Sequence, residues 1–236
     1  MSKYIFSFGN KKTKKITNSK NTLGGKGANL AEMTNLNIPV PPGFTISTEV
    51  CTFFMKHKKF PSGFEKQLKS AIHQIVQYME KKFGCSKNPL LFSVRSGARQ
   101  SMPGMMETVL NIGLNQDTAK GLINKTKNPK FVYDSFRRLL MMYSDVVMEK
   151  ANNSHDDSTT GIRTTLDILL ENIKNQYNYT KDSDLTDVQL IDLCSTYQKT
   201  IQKKFQVSFP NDPYEQLWGA ITAVFQSWNG KRAIDY

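Results

Sequence analysis

The sequence predicts an α+β protein whose strands are gathered in the first half and whose second half is mostly helix. Two observations carry this expectation. Short apolar or alternating runs, Tyr4–Phe8, Phe44–Ile46, Leu90–Val94 and Val109–Leu114, come early and are punctuated by glycine and proline. Later in the chain, apolar residues recur at three- and four-residue spacing over long stretches, which is helical periodicity.

Tyr4 to Phe8 alternates and reads as a first strand, with a lysine-rich turn at Asn10 to Lys15. A helix over Ala28 to Leu36 follows a glycine cluster. Pro39-Val-Pro-Pro-Gly43 excludes helix and leads into a second strand, Phe44-Thr-Ile46. Ser47 is placed to cap a helix from Thr48 to Met55. Phe64, Leu68, Ile72, Ile75, Val76 and Met79 form one stripe of a helix read from Phe64 to Phe83 and ending at Gly84. The strand around Phe92 and the run Val109 to Leu114 complete this part.

Helices then take over. A short one covers Thr118 to Asn124, and a long one, Phe131 to Met148, aligns Val132, Phe136, Leu139, Leu140, Tyr143 and Val147. Asn152 to Thr160 is polar and reads as a loop, and Ile162 to Tyr177 as a helix. Thr186 with Gln189 makes a capping-box pattern ahead of Leu190, Leu193, Tyr197, Ile201 and Phe205. Asp212 followed by Pro213 suits the start of a last helix through Leu217, Ile221, Val224, Phe225 and Trp228.

Two segments suggest chemistry. Leu23-Gly-Gly-Lys-Gly27 sets a lone lysine, Lys26, among Gly24, Gly25 and Gly27 at the mouth of a helix. Glycines allow a close backbone approach to a ligand, and a helix N-terminus attracts anions. The spacing is not that of a P-loop, and no hydroxyl follows the lysine. A plain connector is the alternative reading. The second segment is Ser93-Val-Arg-Ser-Gly-Ala98, where a strand delivers Arg95 to its end beside small residues. A guanidinium there can grip a pair of phosphate oxygens, or it can pair with a carboxylate. The loop Ser101-Met-Pro-Gly-Met-Met106 carries three methionines, whose thioethers suit a purine face or the core equally.

These two segments, the methionine loop, Val40-Pro-Pro-Gly-Phe-Thr-Ile-Ser-Thr48, Tyr133-Asp-Ser-Phe-Arg-Arg138 and Ala223-Val-Phe-Gln-Ser-Trp-Asn-Gly-Lys-Arg-Ala233 occur in one order. Together they resemble the N-terminal nucleotide-binding region of the pyruvate, phosphate dikinase and phosphoenolpyruvate synthase family. The resemblance covers essentially the whole chain and is weakest between Asn152 and Asp184. It implies an incomplete ATP-grasp-like domain with a helical insert: residues 1–115 as the α/β part, 116–210 as a helical subdomain, and 211–236 as a helix returning to the α/β part. It implies that Lys26 and Arg95 contact the phosphates of ATP, with Gly104 and Thr108 near the nucleotide. Arg137 and Arg138 read as a salt-bridged or solvated face, and Arg232 carries no ligand assignment.

Members of that family are much longer. The resemblance implies that a second lobe with Mg2+-holding carboxylates, a phosphorylated histidine domain and a pyruvate-binding barrel lie outside this sequence. His57, His73 and His155 do not match the family's catalytic block. The expectation is therefore a truncated ATP-binding portion of an enzyme that converts ATP, phosphate and pyruvate to AMP, diphosphate and phosphoenolpyruvate. No catalytic residue and no metal ligand is assigned within it. The alternative is a non-catalytic nucleotide- or partner-binding module that complements a separately encoded remainder.

Composition narrows the classes further. The 236 residues can bury a substantial core. No apolar run approaches a membrane span, the mean hydropathy is -0.47, and the start is too polar for a signal peptide. Cys51, Cys85 and Cys194 are odd in number and widely spaced, which argues against a disulfide framework or a zinc site and for a reducing cytoplasm. The formal charge of +12 would suit a polyanion. However, the lysines are dispersed, with no sustained basic helix or RNA-binding signature, which argues against specific nucleic-acid recognition.

Overall fold

The computed structural model describes residues 2–9, 19–97, 108–151 and 160–229. The fold is α+β, with more helix than strand, and the chain divides into two compact units. One comprises Met1–Lys81, Arg95–Met106 and Phe225–Tyr236, and the other Lys82–Val94 and Glu107–Val224.

In the first unit, β1 (Ile5–Phe8) pairs antiparallel with β2 (Gly43–Ile46), Ile5 opposite Ile46 and Phe8 opposite Gly43. Between them in sequence lies α1 (Ser19–Asn35). The predicted start at Ala28 is therefore corrected: the helix begins nine residues earlier and runs through the glycine cluster, with one break at Gly24 (φ 71°, ψ 173°). Leu23, in this added turn, is buried in the core. After β2 come α2 (Thr48–His57) and α3 (Phe64–Met79). Gln67 on α3 ties down the chain start: its Oε1 accepts the Tyr4 N–H at 2.8 Å and its Nε2 donates to the Ser2 carbonyl at 2.8 Å. Val50, Phe54, Phe64, Leu68, Ile72 and Ile75 form the core; the Phe60 ring stacks on Phe64 at 5.1 Å and meets Phe54 tilted at 5.0 Å.

A second correction concerns the end of α3. The helix stops at Met79, not Phe83, because Glu80 turns left-handed and its N–H closes onto the Val76 carbonyl. In the second unit, Lys82–Phe83 then forms β3, parallel to β4 (Pro89–Leu90), and Phe83 packs edge-on against Phe92 and Tyr214. Phe83, expected as the last helical residue, is thus a strand residue held by aromatic neighbours.

The second unit continues with β5 (Phe92–Arg95), whose last residue belongs to the first unit, paired with β6 (Thr108–Ile112). Then follow α4 (Gln116–Thr126), α5 (Pro129–Tyr143), a π-helical turn at Ser144–Lys150, α6 (Ile162–Tyr177), α7 (Asp187–Phe205) and α8 (Pro213–Gln226), whose last two residues join the first unit. The helix expected over Phe131–Met148 therefore changes winding at Ser144. Side-chain caps set the starts of α4, α7 and α8. Asn115 Oδ1 accepts the Thr118 N–H at 2.8 Å, Thr186 and Gln189 form their reciprocal box, and Asp212 Oδ1 accepts the Tyr214 N–H at 2.7 Å. Val132, Phe136, Leu139 and Leu140 of α5 pack with Leu190, Leu193, Tyr197 and Ile201 of α7 to form the core. Gln216 is fully buried yet satisfied, accepting from the Gly113 N–H at 2.8 Å and donating to the Leu114 and Pro210 carbonyls.

The polar loop expected at Asn152–Thr160 falls outside the described residues except for Thr160. No described helix is long and apolar enough to cross a membrane.

Candidate functional site

Three tethers within the first unit hold the glycine segment of α1. At its start, Thr48 Oγ1, in the first turn of α2, donates to the Asn21 carbonyl at 2.5 Å. In its middle, Gly24 lies against Gly97, so closely that a Cβ on Gly24 would overlap the Gly97 carbonyl oxygen. At its end, a Cβ on Gly27 would come within 2.7 Å of Thr45 Cγ2 on β2. Gly24 also adopts a backbone conformation that is essentially reserved for glycine. Both demands, the close approach and the positive φ, fall on the same residue.

The contact between residues 24 and 97 brings the two predicted phosphate anchors into one neighbourhood. Lys26 follows Gly24 by two residues and Arg95 precedes Gly97 by two, and two residues span at most about 7 Å of chain. Both side chains are exposed, and neither forms an ion pair with a described residue. The structural ion pair open to Arg95 on sequence grounds is absent among the described residues.

The remaining predicted positions are distributed differently. Thr108 is the half-buried first residue of β6 and belongs to the second unit. Gly104 and the methionine loop around it lie outside the described residues, as do His155 and Arg232. Arg137 is 3% exposed and bonded to Asp134 at 2.7 Å and Asp182 at 3.1 Å, while Arg138 pairs with Asp134 at 2.8 Å. Both arginines are therefore engaged in a structural cluster. Burial pushes the Asp134 carboxyl up, but hydrogen bonds from Arg137 and Arg138 outweigh it and hold the group below its ordinary value. His57 and His73 are exposed, and His57 stacks on Phe53 at 4.4 Å.

One residue of this neighbourhood was not singled out by sequence. Ser96, between Arg95 and Gly97, is 2% exposed, and its hydroxyl has no hydrogen-bond partner among the described residues. No sequence signal distinguishes it from the other small residues at the strand end. A depression of about 460 Å³ in the second unit, lined by Gly84, Ser86, Lys87, Asp117, Lys120, Gly121 and Asn124, includes none of the four predicted ligand residues. Among the described residues, no cluster of His, Cys, Asp and Glu is arranged to hold a metal ion.

Comparison with known proteins addresses the whole chain. Residues 20–64 and 60–236 match the family described as pyruvate phosphate dikinase, AMP/ATP-binding domain. The chain is 40% identical over 237 residues to pyruvate, phosphate dikinase of Rhizobium meliloti (strain 1021), covering 100% of this chain and 25% of that protein. The Clostridium symbiosum protein of the same name is 42% identical over 240 residues, with 100% and 26% covered. That of Giardia intestinalis is 40% identical over 235 residues, with 98% and 25% covered. The chain thus spans about a quarter of the length of the curated relatives it matches.

Proposed function

Since the chain belongs to the pyruvate phosphate dikinase AMP/ATP-binding family, we propose that it binds ATP, with Lys26 and Arg95 as the two phosphate anchors. The observation that carries this reading is the Gly24–Gly97 contact, which supports a common target for two cations that have no ion pair among the described residues and lie about seventy residues apart in sequence. An ammonium and a guanidinium with no carboxylate partner are suited to a polyphosphate, the first as a point charge and the second through its planar fork. The helical segment restarting after Gly24 adds a positive dipole end beside Lys26. Gly104 and Thr108 complete the proposed nucleotide contacts.

In this reading the fold is one lobe of an ATP-grasp-like site, with residues 116–210 as its helical insert. The chain serves the ATP-handling step of a reaction that makes phosphoenolpyruvate from ATP, phosphate and pyruvate. The segments matching the rest of the relatives' length are proposed to supply the chemistry, either in the same polypeptide or in a separately encoded one. Mg2+ would accompany ATP there. Among the described residues no cluster of His, Cys, Asp and Glu is arranged to hold the ion.

The test is a titration of the chain with ATP, inorganic triphosphate and adenosine, followed by NMR line shifts. ATP and triphosphate should shift resonances around residues 23–27 and 95–97, and adenosine should not reproduce that pattern. A cooperatively folded chain that responds to neither phosphate compound rules the reading out.

A further inference from the structure

We infer that the Ser96 hydroxyl is a third phosphate ligand, donating its hydrogen bond to a phosphate oxygen of the bound nucleotide, an inference that rests on the ATP-binding reading above. Buried hydroxyls are nearly always hydrogen-bonded, and an orphan is a cost to the free protein that calls for an explanation. Ser96 is such an orphan at 2% exposure. It stands one peptide from Gly97, whose carbonyl abuts Gly24, and one peptide from Arg95. Its backbone is therefore fixed on one side by the contact that gathers the site and on the other by the strand that ends in the guanidinium. A short side chain with a single rotor, held this way, has little freedom left to lose on binding. In the ligand-free chain the hydroxyl is closed to solvent, so the donation requires its single rotor to turn toward the bound phosphate, where low-dielectric surroundings strengthen it.

Among the described residues, Ser47 is the other buried serine hydroxyl without a partner, and it does not call for the same explanation. It occupies the N-cap of α2 in extended geometry (φ -63°, ψ 149°), where a rotation about χ1 directs it to the amides of its own helix. Ser96 precedes no described helix.

The experiment compares Ser96→Ala with the unaltered chain by thermal melting without ligand and by titration with ATP, inorganic triphosphate and adenosine. Expected are an unchanged or raised melting temperature without ligand, since an unsatisfied group is removed, and a roughly 10-fold or greater loss of affinity for both ATP and triphosphate. Any response to adenosine should be unaltered. A lowered melting temperature without ligand would make Ser96 a structural residue and overturn the inference. Unchanged affinity for ATP and triphosphate would overturn it while leaving the ATP reading intact. Absence of any response in the unaltered chain would instead remove the ATP reading, and this inference with it.

Discussion

Gly24 touches Gly97: the α carbon of one faces the carbonyl of the other with no room for a methyl group between them. This single backbone contact, between a break in α1 and the residues just past β5, holds the exposed cations Lys26 and Arg95 in one region of the first unit.

Gly24→Ala should therefore be among the most damaging single changes in the first unit. Forcing a side chain into Gly24's conformation costs about 1–3 kcal/mol. The overlap with Gly97 adds about 1–3 kcal/mol of overpacking. Gly25→Ala is the control, because Gly25 has helical backbone and alanine favours helix. Denaturant melts of the two variants should differ clearly, with Gly25→Ala close to the unaltered chain.

Removing either anchor should weaken nucleotide binding without unfolding the chain. Lys26→Ala and Arg95→Ala are each expected to lower ATP affinity by about 10-fold or more, as for loss of a charge-assisted hydrogen bond. Since both side chains are exposed, stability should stay within about 0.5 kcal/mol. Arg95→Lys keeps the charge but loses the fork, and it should recover only part of the affinity. Calorimetric titration together with thermal melting of each variant checks both halves.

The Arg137 cluster should report on pH. Asp134 titrates below its ordinary value in the folded chain, so its stabilising effect is complete above the carboxylate's unfolded value, near about 3.9. That effect disappears as pH falls through the lower folded value. Asp134→Asn should accordingly be less stable than the unaltered chain at pH 7, with the gap narrowing toward pH 2. Asp182 remains beside Arg137, so the loss should fall below the about 3–5 kcal/mol typical of a fully broken buried pair. Melting curves over that pH range test the prediction.

The three cysteines should differ in reactivity. Burial pushes the Cys51 thiol up to about 11 and that of Cys194 up to about 12. Cys85 is held below its usual value by the N–H groups of Asn88 and Lys87, the latter 3.4 Å from its sulfur. The thiolate is the nucleophile, so iodoacetamide at pH 7.5 should label Cys85 well before the other two. Mass spectrometry of time points would detect the opposite order.

The sequence by itself determined the α+β class and the positions of most helices. The cap at Thr186 and the proline start at Pro213 work within three residues of chain, so they are readable locally. The sequence likewise marked Lys26 and Arg95 through the residues around them. Only the tertiary structure decided that α1 breaks at Gly24 rather than beginning after the glycines, and that Phe83 belongs to a strand rather than to the end of the preceding helix. The neighbourhood of residues 24 and 97, and the unpartnered hydroxyl of Ser96, likewise depend on groups far apart in the chain. Periodicity and capping report forces between residues a few positions apart. Close packing between distant segments leaves no such local trace, and that packing brings residues 24 and 97 together.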